Sequence, residues 1–167
     1  MNKFRKYVEV GSNIAILLVC ALIAYVAITR FILPKPHDNS ISGPTVGSKL
    51  NIPEFDLGEK NRGIVLAIST QCRFCSESMP FYSQLVAAAQ TCGIPVIAVL
   101  PQGIAESHVY LQSHGLNIQD IKQMPLDRIG VLATPTILLI RGAGLIEGVW
   151  VGELPSTSQA EVLARIH

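Results

Sequence analysis

A long apolar run, Ile14–Leu33, divides this chain into two unlike parts. It reads IAILLVCALIAYVAI, passes Thr29 and Arg30, and resumes as Phe31-Ile32-Leu33. A helix needs about 20 residues to cross a bilayer core of roughly 30 Å. Arg30 lies close enough to the far end to extend its guanidinium into the headgroups. The run is therefore expected to be a transmembrane anchor at residues 14–33. Lys3, Arg5 and Lys6 precede it and favour a cytoplasmic tail at 1–13, although Arg30 and Lys35 reduce the asymmetry. A cleaved signal peptide would want a short apolar region and then a small-x-small site. The nearest approximation, Val19-Cys20-Ala21, lies inside the run, and Val19 is a poor neighbour for a lipoprotein site at Cys20. The expectation is an uncleaved, single-pass anchor in the cytoplasmic (inner) membrane, with the rest of the chain on its periplasmic or extracytoplasmic side.

From Pro34 to Gly47 the composition changes to PKPHDNSISGPTVG. Proline, glycine and short polar residues supply no packed face, so 34–47 reads as a linker and 48–167 as the folded unit. A length of 167 residues suits one domain plus an extension. Only 15% of residues are charged, below the roughly 25% of soluble domains, and the anchor explains much of the difference. A net charge of +1 with no basic face leaves nothing for nucleic acid to bind. No phosphate-binding or dinucleotide fingerprint is present, and Gly142 and Gly144 serve a turn.

Within the folded unit, Gly63–Ser69 (GIVLAIS) is a short β-branched run that fits a buried central strand. Ser76–Thr91 carries Met79, Phe81, Tyr82, Leu85, Val86 and Ala89 near helical spacing, with Pro80 placed to kink it and Gly93 to stop it. Pro95–Leu100 is a second strand, and Ile104–His114 a helix ended by Gly115. A less regular stretch follows. Thr136–Ile140 and Leu145–Val151 then form a hairpin about the turn Arg141–Gly144, before a last helix ending near Ile166. Ser156 with Gln159, or Ser158 with Glu161, offers its capping box. A right-handed crossover between the first two strands makes them parallel, and the hairpin adds antiparallel strands beside them. The class is α/β.

Cys72 and Cys75 stand where the first strand hands over to a helix. Free N–H groups and the helix dipole stabilise a thiolate there, and Arg73 adds a neighbouring positive charge that is expected to lower the thiol pKa further. Only the thiolate attacks a disulfide. Cys72 is thus the expected nucleophile, and Cys75, one turn along, the resolving thiol. Other readings of the pair remain open. A zinc site needs four ligands, and His37, His108 and His114 would have to be improvised into one. A purely structural bridge over three residues would constrain the unfolded chain little. Cys92 suits core filler, with a regulatory third thiol as the sharper reading, and Cys20 is one more apolar residue of the anchor. His108 and His114, six apart, do not share a metal-binding helix face. Trp150 suits packing.

Ala133-Thr134-Pro135-Thr136 precedes the hairpin, about 60 residues after the cysteine pair. With these residues in this order the chain resembles the thioredoxin superfamily, and more narrowly the TlpA/ResA-type membrane-bound thiol:disulfide oxidoreductases and related redoxin domains. GSKLNIPEFDL (47–57) resembles the family's first strand, IGVLATP (129–135) its approach to the proline, and GLIEGVWVG (144–152) its closing hairpin. The likeness spans about 120 residues. It implies a thioredoxin-like fold, a central mixed sheet flanked by helices. It also implies that Pro135 is cis and packs against Cys72 and Cys75, and that Thr134 offers backbone groups to an extended substrate. The implied activity is a protein-disulfide reductase without metal or other cofactor, acting on disulfide-bearing client proteins and recharged by an integral membrane electron donor. A thiol oxidase would use the same residues. Three departures matter, one being that the dipeptide Arg73-Phe74 between the cysteines lacks proline, so the redox poise does not follow by analogy. Gln71 replaces the aromatic residue usual before the first cysteine, and Leu66 replaces the buried acid that assists proton transfer to the resolving thiol; Glu54 and Glu147 are the candidates to replace that acid. A peroxidase would want threonine three residues before Cys72, where Ser69 stands and Thr70 follows. A copper chaperone commonly spaces its cysteines more widely.

Overall fold

The computed structural model describes residues 43–50, 52, 57 and 61–166, together with Val19, Cys20 and Leu22. The expected tail, nearly all of the Ile14–Leu33 anchor, most of the linker, and Glu54 lie outside the described residues. Among the described residues no helix is long and apolar enough to cross a membrane. The chain divides into two compact units, Met1–Ser40 and Ile41–His167, and the second contains the sheet.

Among the described residues five strands make one mixed sheet: β1 (Arg62–Ala67), β2 (Val96–Leu100), β3 (Asp120–Gln123), β4 (Thr136–Arg141) and β5 (Leu145–Val151), in the order β3-β2-β1-β4-β5. The central strands are apolar at nearly every position because both of their faces are covered. Ile64 and Leu66 of β1, Ala98 and Leu100 of β2, and Ile137 and Leu139 of β4 enter one core. Their alternates Val65, Ala67, Ile97, Val99, Leu138 and Ile140 enter the other.

β1 to β2 and β2 to β3 are both parallel steps in the same direction across the sheet. Right-handed crossovers therefore place both connections on one face. These are α1 (Arg73–Glu77) with α2 (Met79–Thr91), and α3 (Ile104–Ser113). α4 (Ser156–Ile166) joins them, and Leu85, Leu111, Val162 and Ile166 share one core. The other face is closed by the 3-10 helix Leu126–Ile129 and by the leading segment through Leu50.

Strands and helices fall where the sequence spacing puts them, within three residues, with two exceptions. The helix expected from Ser76 begins at Arg73 and breaks at Ser78. Pro80 has no N–H to offer the Ser76 carbonyl, and it stands in the opening turn of α2, where a missing donor costs nothing. The irregular stretch before Thr136 contains β3 and the 3-10 helix. As an edge strand β3 needs no apolar run, and its Asp-Ile-Lys-Gln sequence, with Lys122 3.5 Å from Asp120, gives none.

Gly148 accommodates the indole of Trp150, which folds back over its α-carbon and lies 5.5 Å from the Arg165 guanidinium. A methyl group there would overlap the ring. Gly148→Ala is expected to cost about 1–3 kcal/mol as overpacking. Urea unfolding measures the loss. Because Trp150 is the only tryptophan, its native fluorescence should shift as the ring is displaced.

Candidate active site

β1 and β4 are antiparallel neighbours with Ala67 opposite Thr136. The residues leaving β1 and those entering β4 must therefore meet at the same end of the sheet. Cys72 and Cys75 follow the first, and Thr134 and Pro135 precede the second. The Cys72 Sγ–H points at the Thr134 carbonyl oxygen, 3.3 Å away across 62 residues of sequence, and the Thr134–Pro135 peptide is cis. Pro135 is buried, and its own carbonyl accepts the Gly152 N–H at 2.7 Å.

Cys72 is the N-cap of α1, and its carbonyl accepts the N–H groups of Cys75 (3.1 Å) and Ser76 (3.3 Å). Cys72 is half-buried, whereas Cys75 is fully enclosed in the helical core. The two thiols are correspondingly unequal. Burial pushes Cys72 up, but hydrogen bonds from the Cys75 thiol, from the Thr134 side chain and from the backbone N–H groups of Cys75 and Phe74 outweigh it and leave the thiol below its ordinary value. Burial, aided by its bond to Cys72, pushes Cys75 up to about 12. One cysteine is prepared to ionise and the other to hold its proton. This is the asymmetry that attack followed by resolution requires.

Arg73 does not take the place the sequence suggested for it. Its side chain is turned to solvent and bonds Glu77 at 2.7 Å, one turn along α1, and it is not among the groups that lower Cys72. Donors fixed by the helix start do that work. Leu66 is fully buried in the same core as Cys75, so no acid stands at that position. Glu147 is held between Arg62 (3.3 Å) and Arg141 (2.7 Å), the pair at the opposite end of the β1–β4 ladder. It does not replace the missing acid. Two tyrosines do lie within electrostatic reach of both cysteines: Tyr82, raised by burial, and Tyr110, also raised by burial, whose hydroxyl lies 2.9 Å from Ser76 Oγ.

Cys92 caps the C-terminus of α2 and packs, half-buried, against the core. His114 bonds Tyr110 O and Ser113 Oγ through Nδ1. Among the described residues no three of His, Cys, Asp and Glu gather as metal ligands would. Spacing alone did not reveal a polar cluster before Cys72, formed by Ser69, Thr70, Gln102 and Glu106. The one available signal was topological, since loops leaving the carboxyl ends of adjacent parallel strands lie side by side.

The unequal thiols set the pH dependence of the couple. Below the Cys72 pKa, reduction takes up two protons and the potential should fall by about 59 mV per pH unit. Between that pKa and the value of about 12 for Cys75, it takes up one, and the slope should halve to about 30 mV. Glutathione equilibria across pH 5–10 would locate the break, which is expected below the ordinary thiol range. A break at or above the ordinary thiol value of about 8.5 would mean that Cys72 is not lowered.

No protein-family model and no curated relative matches the chain. Solved structures do. The thioredoxin domain of a thiol-disulfide oxidoreductase from Bacteroides vulgatus superposes with a TM-score of 0.57 at 14% identity, over 74% of this chain and 98% of that one. A thiol-disulfide isomerase from Corynebacterium glutamicum gives 0.54 at 14% identity over 75% and 96%, and StoA from Bacillus subtilis gives 0.51 at 16% over 71% and 98%. The fold is thioredoxin-like, and the structures that share it here are thiol-disulfide oxidoreductases and thioredoxin-family proteins.

Proposed function

We propose that this chain is a membrane-anchored thiol:disulfide oxidoreductase that reduces disulfides of client proteins on the extracytoplasmic side. The observation that carries the reading is the Cys72 sulfur 3.3 Å from the carbonyl that precedes a cis proline, with a buried, protonated Cys75 behind it. The Cys72 thiolate attacks one client sulfur, forming a mixed disulfide and expelling the other as a thiolate. That thiolate takes up the proton Cys75 must lose. Cys75 then attacks the Cys72 sulfur and releases the second client thiolate. Two electrons have passed to the client, and Cys72–Cys75 is oxidised. A dithiol electron donor in the membrane returns them by the reverse exchange.

Phe74, Leu132 and Val151, each more than half exposed, flank this end of the sheet and suit apolar segments beside the client's cysteine. Thr134 supplies the backbone carbonyl to which an extended client strand would pair. The direction of electron flow depends on how strongly the thiolate is stabilised. An oxidant such as DsbA owes its potential to a strongly stabilised reduced form. Here burial opposes the hydrogen bonds that lower Cys72, which supports the reducing direction. The apolar run at Ile14–Leu33 supports the anchor.

Equilibration of the Cys72–Cys75 couple with glutathione tests the reading. A potential near the thioredoxin value of about −270 mV supports a reductase, and one near about −120 mV makes the chain an oxidase. Failure to form a reversible Cys72–Cys75 bond would remove both.

A further inference from the structure

Gln102 stands where β2 ends, two residues before α3 begins. Its carboxamide uses both ends on the loop between β1 and α1. Oε1 accepts the Thr70 N–H at 3.3 Å, and Nε2 donates to Ser69 Oγ at 2.9 Å. Ser69 Oγ in turn accepts the Gln71 N–H at 3.3 Å, and Thr70 Oγ1 donates to Glu106 Oε1, in the first turn of α3, at 2.8 Å. The Gln102 main chain is itself fixed, because its carbonyl accepts the fully buried Ser107 hydroxyl at 3.4 Å.

Every residue from Ser69 to Gln71 is thus held, directly or through one hydroxyl, by the segment that leads into α3 and by its first turn. Ser69 is the pivot. Its carbonyl accepts the Cys72 N–H at 3.1 Å.

We infer that Gln102, assisted by Glu106, is a positioning residue for the dithiol: it fixes the Ser69–Gln71 loop, whose Ser69 carbonyl anchors the Cys72 N–H, and so holds the Cys72 sulfur against the donors of α1. The inference rests on the oxidoreductase reading and adds to it a residue outside the Cys-x-x-Cys and Thr-Pro segments. The chemistry is specific to a carboxamide. One donor and one acceptor on the same planar group satisfy Ser69 and Thr70 together. Methionine fills similar space and offers neither.

The test compares Gln102→Met with the wild type in the full-length chain, using two readouts. Peptide-resolved alkylation of Cys72 across pH requires no exchange activity. The equilibrium constant with glutathione reports the couple. The variant is expected to alkylate Cys72 about 3- to 10-fold more slowly at pH 7, with its midpoint moved up, because a loosened loop stabilises the thiolate less well. The equilibrium constant should move in the same sense, toward a more reducing couple, and the two fold-changes at one pH should multiply to the shift of the midpoint. Glu106→Gln, which keeps an oxygen for the Thr70 hydroxyl, should stay near wild type, whereas Glu106→Leu should shift in the same sense as Gln102→Met. This second pair decides the matter if Gln102→Met does not fold. A folded Gln102→Met, or Glu106→Leu in its place, with an unchanged alkylation profile and equilibrium constant overturns the inference, even if its melting temperature falls. If the wild type forms no Cys72–Cys75 disulfide, the oxidoreductase reading fails, and the alkylation profile still decides the role of Gln102.

Discussion

Cys72→Ser should reduce disulfide turnover to the uncatalysed background, whereas Cys75→Ser should stop the reaction halfway. A serine hydroxyl does not ionise near neutral pH and cannot attack sulfur, so the first variant never forms a mixed disulfide. The second keeps the nucleophile at the α1 N-cap with the backbone donors of Phe74 and Cys75's position intact, and a serine hydroxyl still donates to Cys72. Mixed disulfides with clients should therefore accumulate in Cys75→Ser, visible as adducts on non-reducing gels that collapse with dithiothreitol. Turnover surviving in Cys72→Ser would reassign the nucleophile. Empty lanes for Cys75→Ser, with Cys72 still readily alkylated, would argue that Cys72 meets no client disulfide.

The second large effect lies at the other end of the sheet. Gly144 closes the β4–β5 turn at a φ of +85°, and a Cβ there would run into the Leu50 carbonyl. The approach is close because Leu50 N–H donates to Gly144 O at 2.8 Å. Both the backbone conformation and the contact exclude a side chain, and neither partner is a flexible group that can yield. Gly144→Ala is expected to lose at least about 3 kcal/mol. Chemical denaturation would read it, with the Leu50 amide losing protection from hydrogen exchange. Because this turn lies beyond the Arg62–Arg141 end of the β1–β4 ladder and the dithiol beyond the Ala67–Thr136 end, the surviving folded fraction should keep its reduction potential. A large change in potential with little change in stability would contradict both assignments.

What could be read in the sequence was what local pattern controls. The β-branched runs of β1, β2 and β4 declare strands covered on both faces. Cys72 and Cys75 declare their chemistry because they stand at a strand-to-helix junction. Thr134 and Pro135 drew notice through resemblance, and the antiparallel β1–β4 pairing explains why they arrive beside the dithiol. Arg73 shows where local reasoning stops. Adjacency to Cys72 suggested a charge effect, yet Glu77 lies at the i+4 position and offers a closer partner. Gln102 left no trace in the spacing, because its role depends on which strand lies next to which. β3 escaped because an edge strand carries little of the apolar signature that marks a central one.

The leading segment has a consequence for how copies of this chain meet one another. Gly47 N–H donates to Ile146 O and Ile146 N–H to Ser48 O, each at 2.9 Å, and Lys49 bridges Leu145. Further along β5, the Arg165 guanidinium donates to the Glu147 carbonyl at 3.4 Å. The outer rim of the sheet is therefore partly occupied by the chain's own backbone and a cation, and β3 at the opposite rim carries Asp120 and Lys122. Unsatisfied strand edges are templates for intermolecular pairing. Protected in this way, neighbouring molecules at high local density gain little by adding strand to strand, which favours solitary domains over stacked aggregates.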